Sequence, residues 1–314
     1  MGSPLDNRMK YDPDLPELEG QDRVEFLELV GSAQWISNNT RPDVTYAANF
    51  LGRHRQHPTR QHLEQIKRVW RYFSGTRNLG LTLGGAQSLN DLDLWLHCDA
   101  SWADDPTTRK TTAGHIIYVG SSPIKWQSKQ QDLVTLSTTE AEFVNMSTAG
   151  RDMLWVRQLV RDVQIPAKKI PMIGTDSRNA MLAAEGDRQN MSTRHTDVRY
   201  KWIKERIQKG ELTLRWIETS QMKADGLTKA LNTVQQARFV GLIGLSEVID
   251  KEEHKIESRN ATEKNLGNNR ATPTNQEVSS LVWKNGPRQR KIENYDTTEE
   301  DPESDGSITC GPEA

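Results

Sequence analysis

Four carboxylates stand at the borders of regular elements. Asp99 closes a strand in His97-Cys98-Asp99-Ala100-Ser101, and Glu140 lies in the first turn of a long helix. Asp176 closes a second strand in Gly174-Thr175-Asp176-Ser177, and Asp225 opens a final helix in Ala224-Asp225-Gly226-Leu227. In α/β sheets, sites form outside the C-terminal ends of strands. Carboxylates gathered there repel one another and hold their protons more tightly. Oxygen-seeking divalent cations relieve that repulsion. A pair of such ions can activate a water and stabilise a leaving oxygen during phosphodiester cleavage. Taken singly, each aspartate also reads as a turn former or helix cap. The order Asp, Glu, Asp, Asp across alternating strands and helices is the more specific signal.

The surrounding periodicities supply the elements that would hold these groups. Leu92, Leu94 and Leu96 alternate with polar residues, which predicts a strand leading to Asp99. Strands over Thr112–Val119 and Pro123–Ser128 follow, joined by Gly120-Ser121-Ser122. A helix is predicted from about Thr138 to Val163, with the hydroxyls of Ser137, Thr138 and Thr139 available to cap it. A strand over Ile170–Thr175, a helix from Ser177, a helix over about Thr196–Gln208, a strand over Leu212–Ile217 and a helix over Met222–Leu231 complete the unit. This order predicts an α/β layer fold. Before it, residues 22–73 show helical patterning; Leu63, Ile66, Val69, Trp70 and Phe73 share one face. Residues 1–21, broken by Pro4, Pro13 and Pro16, read as a disordered lead-in, and the polar residues 246–314 as a largely disordered tail.

Composition narrows the functional classes. Lys and Arg number 41 against 43 Asp and Glu, so bulk charge (-2) does not predict a nucleic-acid partner. Two local basic clusters, residues 53–77 and 188–209, are candidates to face phosphates, the second with Tyr200 and Trp202 among its cations. Two cysteines, Cys98 and Cys310, offer neither a disulfide framework nor a zinc site. No apolar run approaches the ~20 residues of a membrane span, and the N-terminus lacks a signal-peptide core. The expectation is a soluble, intracellular protein.

Several segments resemble one known family. They are His97-Cys98-Asp99-Ala100-Ser101-Trp102-Ala103, Arg109-Lys110-Thr111-Thr112-Ala113-Gly114, Trp126-Gln127-Ser128-Lys129-Gln130-Gln131, Leu136-Ser137-Thr138-Thr139-Glu140-Ala141-Glu142-Phe143, Arg194-His195-Thr196-Asp197 and Ala224-Asp225-Gly226-Leu227-Thr228-Lys229. In type and order they are similar to the ribonuclease H domain of copia-type (Ty/copia) retrotransposon Pol polyproteins, over roughly residues 22–245. Thr40-Arg41-Pro42-Asp43 and Arg71-Tyr72-Phe73-Ser74-Gly75-Thr76 resemble the thumb and connection region of the reverse transcriptase that precedes it. No Tyr-x-Asp-Asp-like polymerase pair occurs in the chain.

The resemblance implies a ribonuclease H-like fold, a five-stranded mixed sheet flanked by helices. Its divisions would be a lead-in at 1–21, a helical reverse transcriptase-like fragment at 22–85, the ribonuclease H-like domain at 91–232 and the tail at 246–314. It implies a two-metal endonuclease, using Mg2+ or Mn2+, that cuts the RNA strand of RNA–DNA hybrids. Asp99, Glu140, Asp176 and Asp225 would be the catalytic metal ligands. Glu142, two residues along the helix and about 200° around it, is set aside as solvated or supporting. Thr138, Thr139, Ser177, Arg178, Arg194 and His195 are the candidates for substrate contact. The loop Ile217–Lys223 lacks the mobile His of cellular relatives, and His195 reads as structural or phosphate-facing. The implied partners are an RNA–DNA hybrid and the rest of the polyprotein, including the polymerase palm and the integrase, in a cytoplasmic virus-like particle or the nucleus. An integrase-like transferase needs the order Asp, Asp, Glu, which this chain lacks. A non-catalytic nucleic-acid-binding fragment is the alternative.

Overall fold

The alternation of Leu94, Leu96 and Cys98 with Trp95, His97 and Asp99 gives the central strand two different faces. The computed structural model describes residues 2–9, 11–12, 14–84, 92–165, 169–186 and 194–248, the side chains of 194–197 excepted. Strands β2 (Leu94–Ser101), β3 (Thr112–Val119), β4 (Ser122–Gln130), β5 (Met172–Thr175) and β6 (Thr213–Trp216) form a five-stranded sheet in the order β4-β3-β2-β5-β6. The pairs β2–β3 and β3–β4 are antiparallel, and β2–β5 and β5–β6 are parallel. This is the mixed sheet of the expected ribonuclease H-like fold.

Helix α4 (Thr138–Asp162) covers one face. Its stripe Met146, Ala149, Met153, Val156 and Val160 repeats at three-four spacing and packs on Leu94, Leu96, Cys98 and Ile173. Helices α5 (Arg178–Glu185) and α6 (Arg194–Gln208) complete that layer, with Ala180, Tyr200 and Ile203 in the same core. On the opposite face, Ile116 and Tyr118 meet Leu227, Leu231, Phe239 and Ile243. The long apolar stripe of α4 is the main reason that the fold closes over β2 and β5.

The stretch after β6 differs from the expected helix over Met222–Leu231. That stretch holds a 3-10 turn, Asp225–Leu227, and the helix begins later as α7 (Thr233–Leu242). Gly226 is a poor helix former, whereas Asn232 and Gln235 form a reciprocal capping box that starts α7. Strand β7 (Leu245–Glu247) then pairs with β1 (Leu79–Leu81), so the unit runs past the expected boundary at 232. The expected tail lies outside the described residues from 249 onward.

The N-terminal helices α1 (Gly20–Asn39), α2 (Thr45–Gly52) and α3 (Arg60–Gly75) share a core of Phe26, Val30, Leu51, Leu63, Ile66 and Val69. The lead-in, expected to be loose, joins this core through Leu5 and Leu18. Its backbone is held by α3: Arg68 Nε donates to the Ser3 carbonyl at 3.1 Å, and Gln65 Oε1 accepts from Asp6 N at 3.0 Å. Asp43 is buried against Arg41, whose Nε and Nη2 donate to its carboxylate at 2.9 and 2.8 Å, and against the Tyr72 hydroxyl, which donates at 2.8 Å. Trp126 Nε1 on β4 donates to the Ser37 carbonyl at 2.8 Å, and Asn49 Nδ2 donates to the Ser128 carbonyl at 2.9 Å. The helices and the sheet therefore pack as one compact unit. Among the described residues, no helix is long and apolar enough to cross a membrane.

Candidate active site

Strand register puts the first two carboxylates side by side. β2 and β5 run parallel with His97 in line with Gly174. Two residues further on stand the aspartates: Asp99 inside β2, which runs on to Ser101 rather than closing at Asp99, and Asp176 directly after β5. The third carboxylate comes from α4, and it is Glu142 rather than Glu140. Ligand oxygens of Asp99, Glu142 and Asp176 lie within 4.8 Å of one another.

Glu140 is placed elsewhere by the helix start. Ser137 is the N-cap, and its side chain accepts from Glu140 N at 3.1 Å. The Glu140 carboxylate folds back and accepts from Leu136 N at 2.7 Å. It is thus engaged in capping, with its charge favoured by the helix N-terminus. The assignment of Glu140 to the cluster is corrected to Glu142. The signal was present in the sequence: Glu142, Met146, Ala149, Met153, Val156 and Val160 form a single four-three stripe, and Glu142 heads it. The residue that heads a buried stripe faces the sheet, and Glu140 lies off that stripe.

Asp225 stands beside this cluster rather than in it. Its carboxylate pairs with Lys229 Nζ. Thr228 ties the two parts together: its hydroxyl bonds to Asp99 Oδ2 and lies 3.0 Å from the Asp225 carbonyl. Thr219 Oγ1 donates to Asp176 Oδ2 at 2.9 Å. Asn145 Nδ2, fully buried on α4, donates to the carbonyls of Asp99 at 2.7 Å and Gly114 at 3.0 Å. Gly114 is opposite Asp99 on β3, and a Cβ there would lie 2.7 Å from Leu227 Cβ. Only glycine lets the Asp225 turn approach Asp99 this closely. Thr219, Thr228 and Asn145 escape a sequence search for acids because their role depends on contacts 43, 129 and 46 residues away.

The expected substrate residues are placed as follows. Thr138 and Thr139 occupy the first turn of α4, exposed and half-exposed. Ser177 caps α5, accepting from Ala180 N at 3.2 Å, and the Arg178 guanidinium lies 4.4 Å from the Trp216 ring centroid. The side chains of Arg194 and His195 lie outside the described residues.

The electrostatics are those of a cation site. Burial, then the Asp99 and Asp176 charges, push the Glu142 carboxyl up to about 9. Burial also raises Asp99 to about 6; Asp176 and Asp225 add to the rise, while the Thr228 hydrogen bond opposes it. Glu142 Oε1 accepts from Ala100 N at 3.1 Å, but Oε2 is buried with no hydrogen-bond partner among the described residues. An orphaned buried carboxylate oxygen costs ~1–3 kcal/mol or more unless something binds it. An all-oxygen donor set suits a hard divalent cation such as Mg2+ or Mn2+. The residues present fit such an ion.

No protein-family model matches the chain. Curated relatives do. The chain is 34% identical over 227 residues to the retrovirus-related Pol polyprotein from transposon RE1 of Arabidopsis thaliana, covering 72% of this chain and 15% of that protein. It is 32% identical over 209 residues to the corresponding polyprotein from transposon TNT 1-94 of Nicotiana tabacum, covering 67% of this chain and 15% of that one. The chain thus spans 15% of the length of the relatives it matches first. Among solved structures, LC11-RNase H1 from compost aligns with 43% of this chain and 92% of its own at 15% identity and a TM-score of 0.35. At 34% identity over 227 residues the chain belongs to the family of copia-type retrotransposon Pol polyproteins, and its five-stranded mixed sheet is ribonuclease H-like.

Proposed function

We propose that this chain is a ribonuclease H, an endonuclease that hydrolyses the RNA strand of RNA–DNA hybrids during reverse transcription, as part of a retrotransposon Pol polyprotein. The observation that carries this reading is the buried, unpartnered Oε2 of Glu142 facing the carboxylates of Asp99 and Asp176. Asp99, Glu142 and Asp176 would hold one divalent ion, and Asp225, turned toward Asp99 through Thr228, would share in holding a second. When bound, two such ions supply water activation and stabilisation of the leaving oxygen.

The chain's own residues set the geometry. Thr228 and Asn145 fix the carboxylate and the backbone of Asp99, and Thr219 fixes Asp176. Lys229 offsets the charge of Asp225. Thr138 and Thr139, at the exposed N-terminus of α4, present hydroxyls and backbone N–H groups to a passing phosphate, and Arg178 flanks Asp176 on the other side. Contacts of this kind read a hybrid by backbone shape and 2′-hydroxyl rather than by base sequence. The polymerase palm and the integrase of the parent polyprotein are the proposed partners, in a virus-like particle or the nucleus.

The test is cleavage of an end-labelled RNA–DNA hybrid by the full chain with Mg2+ or Mn2+, beside Asp99→Asn and Glu142→Gln. The expected result is metal-dependent cutting of the hybrid's RNA and not of single-stranded RNA, lost in both variants. Equal cleavage by parent and variants, or none by any of them, would overturn the reading. Retention of the hybrid without cleavage would favour a binding fragment.

A further inference from the structure

A second cleft lies on the sheet face turned away from α4. Its floor follows from register. Because Leu94, Leu96 and Cys98 enter the α4 core, Trp95 and His97 project from the opposite face. Trp95 is opposite Tyr118 on β3, and His97 is in line with Gly174 on β5 and Arg215 on β6. A Cβ on Gly174 would lie 2.1 Å from Ile217 Cδ1, so the bare backbone lets Ile217 fold down over β5. The result is a cleft of about 490 Å³ lined by Trp95, His97, Tyr118, Arg215, Ile217 and Lys223, among others. That volume is in the range of small-molecule sites.

The lining has a consistent chemistry. The Arg215 guanidinium carbon stands 5.5 Å from the Trp95 ring centroid, and Lys223 Nζ stands 4.1 Å from that of Tyr118. Glu218 is the one acid among the lining residues. His97 is 6% exposed, and its Nδ1 is buried with no hydrogen-bond partner among the described residues. An imidazole with an unpaired ring nitrogen suits the polar edge of a heterocycle. Flat aromatic and guanidinium surfaces stack on bases, and cations beside them hold phosphate. A lipid chain would leave the cations and His97 unused, and inorganic phosphate would leave the rings unused.

We propose that this cleft is a nucleotide-binding subsite, separate from the acidic cluster, which stacks one unpaired base on the Trp95 side and holds its phosphate on Arg215 and Lys223. The nucleotide comes either from an unpaired residue of a nucleic-acid strand or from a free mononucleotide. The subsite neighbours the acidic cluster: Trp216, also in its lining, donates from Nε1 to the Asp176 carbonyl at 3.1 Å. It does not depend on hydrolysis by that cluster.

The experiment is fluorescence anisotropy of a labelled hexa-deoxyadenylate with the full chain in EDTA, and competition by AMP. The parent binds saturably, and Arg215→Ala and Trp95→Leu each weaken binding by about fivefold or more. Asp99→Asn binds as the parent does, which separates this result from the hydrolase reading; failure of that reading appears in hybrid cleavage instead. Competition by AMP at similar affinity identifies a free nucleotide as the source, and preference for the oligonucleotide identifies a strand. Should Trp95→Leu fail to fold, Arg215→Ala and Lys223→Ala decide the matter, since both side chains reach solvent. No saturable binding by the parent, or binding by Arg215→Ala and Lys223→Ala as tight as the parent's, overturns the proposal.

Discussion

Glu142→Gln should make the metal-free protein more stable while abolishing its activity. The carboxyl is raised from an ordinary value of 4.5 to about 9, first by burial and then by the charges of Asp99 and Asp176. A carboxyl raised on folding binds more protons in the native than in the unfolded chain. Its cost to stability is therefore absent below about pH 4.5 and grows as pH rises toward 9. At pH 7 the gap from 4.5 is roughly 2.5 pH units, at ~1.4 kcal/mol each, so the cost is about 3 kcal/mol. Gln keeps the acceptor for Ala100 N and carries no charge. At ~2–4 °C per kcal/mol for a unit of this size, the melting temperature in EDTA should rise by about 6–12 °C at pH 7 and by little near pH 4.5. Glu140→Gln is the control: its side chain accepts from Leu136 N at the start of α4, a contact that Gln can keep, and hybrid cleavage should persist. Thermal unfolding followed by circular dichroism at the two pH values, with the cleavage assay alongside, tests this. A fall in melting temperature for Glu142→Gln at pH 7, or loss of cleavage in Glu140→Gln but not in Glu142→Gln, would refute the placement of the charge.

Three other outcomes are expected. Mg2+ should raise the melting temperature of the parent, by about 2.7 kcal/mol of stability at a hundredfold excess over its dissociation constant, and should leave Glu142→Gln unmoved in the same scan. Gly114→Ala places a methyl 2.7 Å from Leu227 Cβ and 2.9 Å from Thr228 Cγ2; overpacking of ~1–3 kcal/mol should appear in urea unfolding, together with slower cleavage as Thr228 leaves Asp99. Asp43→Ala leaves the Arg41 guanidinium buried beside the Tyr72 hydroxyl without its partner, and chemical denaturation should show a loss of about 3–5 kcal/mol.

The strands were legible because a period of two fixes which face each residue takes, although β2 runs two residues past Asp99 to Ser101. Hence Asp99 and Asp176 could be named from sequence. The helix-borne acid was harder. Two glutamates two residues apart lie on nearly opposite sides of a helix, and a cap motif at Ser137 draws attention to Glu140. Only the rotation of α4, set by its stripe down to Val160, separates the two. The turn carrying Asp225 was illegible for another reason. Gly226 weakens a helix there, but the seat of the turn against Gly114 and α7 comes from distant contacts that local propensity does not reveal. The lead-in misled through composition: its prolines and acids suggest disorder, yet Leu5 and Leu18 reach an apolar core assembled from α1 and α3.

The N-terminal helices also bear on the acidic cluster, through α7. Gln236 on α7 donates from Nε2 to the Asp43 carbonyl at 3.0 Å and to the Tyr72 hydroxyl at 3.3 Å. Three residues on, Phe239 packs on the Asp225 turn so closely that a Cβ on Gly226 would lie 2.4 Å from its ring. α7 is thus held on one side by the helical segment and holds Asp225 on the other. β1 adds a second tie by pairing with β7 after the helix. Removing residues 1–91 would expose the Trp126 side of β4, unpair β7 and release Gln236. Asp99, Glu142 and Asp176 are carried by the sheet and α4, so they should stay together even where Thr228 leaves Asp99, while Asp225 should drift. A chain of residues 92–248 is therefore expected to keep a metal-dependent rise in melting temperature but to lose most of its hybrid cleavage, and adding the 1–91 segment in trans should restore part of it. Cleavage by the shortened chain at the parent's rate would show that the helical segment does not position the fourth acid.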